Sequence, residues 1–281
     1  MLVAMNSTPS TAAIPASSRP VVTAPDDITT LCSISIIATM LATMLHEGLG
    51  HAAVAIATLH ASGTLTTVAW SSDYDSKLVL AGGTLVNLGS AFVCWLLLRA
   101  ARNATVSLRF FLFITMAFNL FTGTGYFLFS GVSNFGDWAG VIQGLHPYWL
   151  WRVGLIILGV VTYWGAMRFV GANLVQFFGV SVKDRARFRR LTWVPYFAAL
   201  LIEAVAGLRN PFGIRFVFES ALAASAGGHC GLLFLINYVP KKISPGPHDQ
   251  PISRSYPWIM ASIVLALIFI IVLGPGIHLR G

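Results

Sequence analysis

The sequence predicts an all-α protein, a polytopic bundle of about seven transmembrane helices, with six to eight as the range. The first observation is composition. Of 281 residues, 56% are hydrophobic and only 10% are charged, less than half the charge density of an average soluble domain. The second observation is that the apolar residues come in blocks of about 20, the length that spans the hydrocarbon core of a bilayer. Together they exclude a soluble globular protein.

Seven apolar segments follow a polar N-terminal segment. Residues 1–30 are rich in Ser, Thr, Ala and Pro, a composition that predicts a disordered tail. The fifth span is short and carries Glu203, so a re-entrant segment is an alternative there. We divide the chain into the tail 1–30, a membrane core 31–140 and additional transmembrane helices 141–281. The predicted spans cover residues 31–59, 79–99, 108–129, 150–170, 193–208, 216–238 and 257–275.

The positive charges fall in alternate loops and set the predicted orientation. Cytoplasmic loops carry an excess of Lys and Arg, so the pattern places the N-terminus inside, in the cytoplasmic (inner) membrane. The formal net charge is +8, but the basic residues are scattered between apolar blocks, which favours contact with anionic lipid over nucleic acid. The one dense run lies between the fourth and fifth spans and contains Lys183, Arg185, Arg187, Arg189 and Arg190.

The first span contains HEGLGH at residues 46–51. Neutral imidazoles ligate zinc, and a neighbouring glutamate can activate water, as in HExxH metalloproteases. Here one residue is added, so His46 and His51 lie about 140° apart around a regular helix and cannot face one ion. A π-bulge absorbs one extra residue, and Gly48 and Gly50 make such a distortion easier. The alternative is that these polar groups satisfy one another, with Glu47 facing His51 at i and i+4.

Ionisable groups within spans are costly, so each is a candidate functional residue. Besides the HEGLGH group, the chain has Asp137, Glu203, Glu219 and His229. Asp137 follows the third span through a glycine-broken segment that can return to bilayer depth, with an interfacial loop acid as the alternative. His229 lies among small residues, which favours helix packing; it could also be an extra metal ligand or support a ligand.

Three separated stretches resemble the site-2 protease family of intramembrane zinc metalloproteases, with HExxxH in place of that family's HExxH. They are HEGLGH, a GxxxN pattern at residues 83–87, and Asn119-Leu120 followed by a late aspartate, Asp137. The resemblance covers residues 40–140. It implies a zinc site between the first three spans with His46, His51 and Asp137 as ligands. It further implies Glu47 as general base and Asn87 as a group that contacts substrate or stabilises transition-state charge.

The sequence therefore favours an intramembrane zinc-dependent endopeptidase that hydrolyses a peptide bond in or near a transmembrane segment. Its expected partners are a membrane-embedded peptide substrate and the lipid bilayer, not nucleic acid. One alternative is a noncatalytic protein of the same fold that binds a metal or a partner helix. Another is a proton or metal transporter, because acids and histidines in spans can line a water-filled path. Other divalent metals accept the same ligands as zinc.

Overall fold

The computed structural model describes residues 25–247 and 250–281, except for the side chains of Glu219 and Ala221, and this part of the chain is mostly helical. Residues 1–24 of the predicted tail lie outside it. The α-helices are α1 (Ile28–Met44), α2 (Ala53–Leu59), α3 (Lys77–Ala100), α4 (Val106–Ser133), α5 (Asp137–Val141), α6 (Tyr148–Phe178), α7 (Arg185–Gly207), α8 (Ile214–Phe216), α9 (Gly231–Phe234) and α10 (Tyr256–Ile268). The π-helical segments are Leu45–Ala52, Val217–Gly227 and Phe269–Leu273, and the 3₁₀ turns are Gly228–Cys230 and Leu235–Asn237.

Five continuous helical stretches in these ranges are long and apolar enough to cross a membrane. They match the first four predicted spans and the last one, so the prediction of a mostly helical chain with several helices long and apolar enough to span a membrane is confirmed. The predicted count of seven stays a prediction. The fifth span falls within α7, and the sixth falls in a series of short helical pieces, where Leu222–Asn237 is a shorter apolar helix. The five stretches are Ile28–Leu59, Lys77–Ala100, Val106–Ser133, Tyr148–Phe178 and Tyr256–Leu273.

Helix α4 lies at the centre of the bundle and packs against α1, α3 and α6. Phe110, Phe113, Phe118 and Phe121 project from it and are fully buried in the main hydrophobic cluster. Burying a large aromatic side chain removes about 150–250 Å² of surface from its surroundings. These four residues therefore fix α4 against its neighbours and set the positions of α1 and α3, which carry the histidine motif and the GxxxN pattern.

The N-terminus of α1 is capped by Asp27. Its carboxylate accepts hydrogen bonds from the Thr30 backbone N–H and the Thr30 hydroxyl, both at 2.8 Å. The backbone bond from Thr30 is the main cause of a lowered Asp27 pKa. The preceding Asp26 accepts hydrogen bonds from Arg187 Nε at 3.0 Å and from the Ile252 N–H at 2.8 Å. These contacts join the start of α1 to α7 and to the segment before α10.

A small antiparallel sheet, which the sequence does not predict, accompanies the helices. It contains β1 (Gly63–Leu65), β2 (Trp70–Ser72) and β3 (Ile277–Leu279), in the order β2-β1-β3. Thr64 of β1 pairs with Ser71 of β2 and with His278 of β3. The sheet therefore brings the C-terminal strand onto the hairpin that follows the histidine motif.

Candidate metal centre

The histidine motif forms a π-helical segment, Leu45–Ala52, as the distortion proposed from its spacing requires. In a π-helix the hydrogen bonds run between residues five positions apart, so His46 and His51 share a face. Their Nε2 atoms lie 3.2 Å apart. Both side chains are buried, with 3% and 6% of their surfaces exposed. The added residue is thus accommodated by the backbone, and the two imidazoles converge.

Glycines let α3 approach this segment closely. A Cβ on Gly50 would overlap the backbone of Gly82 and Gly83. A Cβ on Gly83 would lie 2.5 Å from His51 Nε2 and 2.6 Å from His46 Cε1, so any larger side chain there would fill the space between the imidazoles. The glycine of the GxxxN pattern is therefore required by the site itself.

Asp137 reaches the histidines from the end of α4. The chain turns at Asn134 (φ 56°) and Gly136 (φ 83°), and Asp137 begins the short helix α5. Asp137 Oδ2 lies 3.2 Å from His46 Nε2 and 3.3 Å from His51 Nε2. This oxygen is buried and has no hydrogen-bond donor among the described residues. The glycine-broken return predicted from the sequence brings the acid to the two histidines.

The proton on His51 is fixed by a backbone carbonyl. His51 Nδ1 lies 2.7 Å from the carbonyl oxygen of Val79. Because a carbonyl oxygen can only accept a hydrogen bond, Nδ1 carries the proton and donates it. In the neutral imidazole, Nε2 therefore presents a lone pair toward His46 and Asp137.

The proton on His46 is fixed by a chain of amides. Asn119 Nδ2 donates to the Thr115 carbonyl at 2.8 Å, so Asn119 Oδ1 accepts from Asn87 Nδ2 at 2.8 Å. Asn87 Nδ2 also donates to the Ala42 carbonyl at 3.2 Å, which leaves Asn87 Oδ1 facing His46 Nδ1 at 2.5 Å. His46 Nδ1 is therefore the donor, and Nε2 again carries a lone pair.

Three lone-pair atoms consequently point at one another: the Nε2 atoms of His46 and His51 and an oxygen of Asp137. One possible ligand atom from each residue lies within 4.8 Å of the others, and this group could hold a metal ion. We refer to His46, His51 and Asp137 as the metal-binding group. With the proton on Nδ1 in both histidines, none of the three lone-pair atoms donates a hydrogen bond to another. A buried acceptor without a partner is costly. A cation is the natural complement of two neutral imidazoles and a carboxylate whose partners hold them in place.

Glu47 lies beside this group without joining it. Its side chain is buried, and Oε2 accepts a hydrogen bond from the backbone N–H of Trp70 at 2.8 Å. It lines a cavity of about 120 Å³ together with His51 and Asp137. Strand β2, which contains Trp70, thus holds the carboxylate at the edge of the metal-binding group.

The two remaining site residues predicted from the sequence have other surroundings. Asn87 is fully buried, and its amide bonds to His46, Ala42 and Asn119. These contacts favour a role in orienting His46 over direct contact with substrate. His229 is buried outside the metal-binding group, with Nε2 3.1 Å from the Thr122 hydroxyl.

A second polar cavity also borders Glu47. It is lined by residues that include Glu47, Thr122, Glu203 and His229. Glu203 is buried and accepts hydrogen bonds from the hydroxyls of Thr39 and Thr43 at 3.2 Å and 2.7 Å. The Glu219 side chain, also a candidate from the sequence, lies outside the described residues.

The structure adds three groups to which the sequence analysis assigned no role. They are the Val79 carbonyl, the Asn119 amide and Tyr126, whose ring stacks on His46 with centroids 4.8 Å apart. An asparagine in an apolar span is a detectable signal, because buried amides need partners. The Val79 carbonyl has no such signal, since every residue carries one.

Comparisons of the chain with protein-family models, with curated proteins and with solved structures find no match. The resemblance to site-2 proteases therefore rests on the motifs and stays an expectation. Fold and geometry alone define a mostly helical protein with five helices long and apolar enough to cross a membrane and with a His-His-Asp group that could hold a metal ion.

Proposed function

We propose that the protein is an intramembrane zinc-dependent endopeptidase that hydrolyses a peptide bond in or near a transmembrane segment. The observation that carries the proposal is the convergence of three ligand atoms, from His46, His51 and Asp137, beside the buried carboxylate of Glu47. This group lies among helices long and apolar enough to cross a membrane. A metal-binding group with an adjacent carboxylate and a cavity is the arrangement that metal-assisted hydrolysis needs.

Zinc suits the donor set. Two imidazoles and one carboxylate form a three-ligand set, which in catalytic zinc sites leaves one position for water or substrate. Bound there, zinc would supply a Lewis acid for water and for the peptide carbonyl. The proposed site lies between the first three spans, since its ligands come from the first span and from the turn after the third, and α3 covers them.

Glu47 is the proposed general base. It takes a proton from the attacking water while the water oxygen bonds to the carbonyl carbon. It then returns that proton to the amide nitrogen as the C–N bond breaks. One water is consumed, and a carboxyl group and an amino group are formed. The hydrogen bond from the Trp70 N–H occupies one carboxylate oxygen and leaves the other for this transfer.

The proposed setting is a seven-span protein of the cytoplasmic membrane with its N-terminus inside, as the loop charges indicate. The proposed substrate is a membrane-embedded peptide. A site enclosed by apolar helices is most accessible to a chain that already lies in the bilayer.

Proton or metal transport is the second candidate. It is favoured by one observation: Glu203 and His229, which are not part of the metal-binding group, line a cavity that His46 and Glu47 also line. Acids and histidines along a hydrated path are typical of transporters. Under this alternative, proteoliposomes would show proton or metal flux that Glu203→Gln abolishes.

The test combines metal content with cleavage. The purified protein in detergent is analysed by elemental mass spectrometry and assayed on fluorophore-labelled transmembrane peptides. We expect about one zinc ion per chain in the native protein and in Glu47→Gln. Of these two proteins, only the native one should cleave the peptides. We expect loss of both zinc and cleavage in His46→Ala, His51→Ala and Asp137→Ala.

A matched control is Glu203→Gln, which removes the charge of another buried glutamate and should retain zinc and cleavage. Absence of zinc from the native protein would contradict the proposed function. Undiminished turnover by Glu47→Gln would contradict it as well.

A further inference from the structure

Three tyrosines lie in the interior of the described bundle, and their hydroxyl groups differ. Tyr163 donates to the carbonyl of Gly228 at 2.6 Å, and Tyr196 donates to that of Ala226 at 3.2 Å. The Tyr126 hydroxyl has no hydrogen-bond partner within residues 25–247 and 250–281. Tyr126 is only partly buried and lines two cavities, so its free hydroxyl is available to a group that enters them.

Tyr126 is placed at the metal-binding group. Its ring stacks on the imidazole of His46, with an interplanar angle of 27°. It lines the cavity that contains Glu47, His51 and Asp137, and also the second polar cavity, which borders His46 and Glu47. A peptide bond that reached the metal-binding group would therefore pass this side chain.

Peptide hydrolysis places negative charge on the carbonyl oxygen, and hydrogen-bond donors near that oxygen lower the barrier. The resemblance would give this task to Asn87, but the Asn87 amide is fully buried and already bonded to Ala42 and Asn119. The carboxylates of Glu47 and Asp137 are acceptors when ionised and cannot donate. Two donors without a partner among the described residues line the cavity at the metal-binding group, the Trp70 indole N–H and the Tyr126 hydroxyl, and of these two side chains Tyr126 is the one stacked on a histidine of the group.

We propose that Tyr126 is a further catalytic residue, whose hydroxyl donates a hydrogen bond to the carbonyl oxygen of the scissile peptide as charge develops there. This inference rests on the proposed function. A phenol is suited to the task because it is a neutral donor and keeps its proton through the reaction. The stacking on His46 holds the ring in place, so little reorganisation is needed when substrate arrives.

The experiment compares Tyr126→Phe with Tyr163→Phe in the full chain. Tyr126→Phe keeps the stacked ring and removes only the hydroxyl. We expect zinc content to be unchanged, kcat for a labelled transmembrane peptide to fall by about 10²–10³-fold, and KM to change little. Tyr163→Phe, whose hydroxyl bonds to backbone, should keep the native kcat.

Binding gives a second readout that needs no turnover. A phosphinic peptide with apolar side chains has a tetrahedral centre that resembles the transition state. Its affinity for the zinc-loaded protein, measured by calorimetry, should fall in Tyr126→Phe by a factor similar to the fall in kcat/KM. It should be unchanged in Tyr163→Phe.

The outcomes separate the two proposals. If the native protein and Tyr126→Phe cleave the peptide equally well, the role of Tyr126 is overturned and the proposed function still stands. Loss of zinc in Tyr126→Phe would also overturn it, because the hydroxyl would then be supporting the metal site. A native protein that holds zinc but neither cleaves the peptide nor binds the phosphinic compound would overturn the proposed function, and this inference with it.

Discussion

Two π-helical segments, Leu45–Ala52 and Val217–Gly227, bring histidines into the interior of the same bundle. The first contains His46 and His51. The second leads directly into the 3₁₀ turn that contains His229. All three imidazoles are buried. The first pair converges with Asp137 on one point, while His229 lies apart from that group and packs on Phe118, with ring centroids 4.4 Å apart.

The difference lies in the groups that face the imidazole nitrogens. His46 and His51 each face a fixed acceptor at Nδ1, the Asn87 amide oxygen and the Val79 carbonyl. Each therefore directs a lone pair at Asp137. His229 faces the Thr122 hydroxyl, which can donate or accept, and its Nδ1 has no partner among the described residues. A distorted helix with a buried histidine thus does not by itself form a group that could hold a metal ion; the group at His46 and His51 also has fixed acceptors and a third possible ligand.

The largest expected effect comes from Gly83→Ala, which changes no ligand. The added Cβ would lie 2.5 Å from His51 Nε2 and 2.6 Å from His46 Cε1. Because these are rigid rings on a packed helix, we expect loss of bound zinc, measured by elemental mass spectrometry. Gly89→Ala on the same helix is the matched control, since a Cβ there meets nothing within 4 Å. Full zinc content in Gly83→Ala would show that the first π-helical segment does not hold metal as we describe.

A smaller effect is expected from Asn87→Leu, which removes the acceptor behind His46 but leaves all three ligands. Loss of such a supporting group typically weakens metal affinity by about 10–100-fold. Competition with a fluorescent zinc chelator would measure it. Asn173→Leu is the control, because Asn173 is also buried but bonds to Trp95 and the Phe169 carbonyl. Equal affinities in the two variants would contradict the explanation based on fixed tautomers.

The parts of the site that the sequence predicted are those that depend on local geometry. The spacing of His46 and His51 required one extra residue per turn, and the π-helical segment supplies it. The glycines before Asp137 indicated a broken segment that returns, and the turn at Gly136 makes that return. The long apolar spans were predictable for the same reason, because length and composition are properties of one segment.

The rest depends on packing between segments. The contact between Asn87 and His46 exists only because α3 approaches the first span at Gly83. The choice of the Val79 carbonyl as acceptor follows from the same approach. The three strands have three residues each, too few for an alternating pattern to stand out. The pieces between residues 214 and 237 change helix type several times, which hydropathy does not detect.

The smallest expected effect tests the second π-helical segment through Thr122→Val. This change removes the hydroxyl that bonds to His229 and keeps the shape of the side chain. Interhelical hydrogen bonds in membrane proteins contribute about 0.6 kcal/mol on average. We therefore expect a free energy of unfolding in detergent lower by about that amount, with unchanged zinc content. His229→Phe should retain zinc as well. If either variant lost zinc, His229 would belong to the metal centre, and the contrast between fixed and unfixed imidazoles would no longer explain where the metal binds.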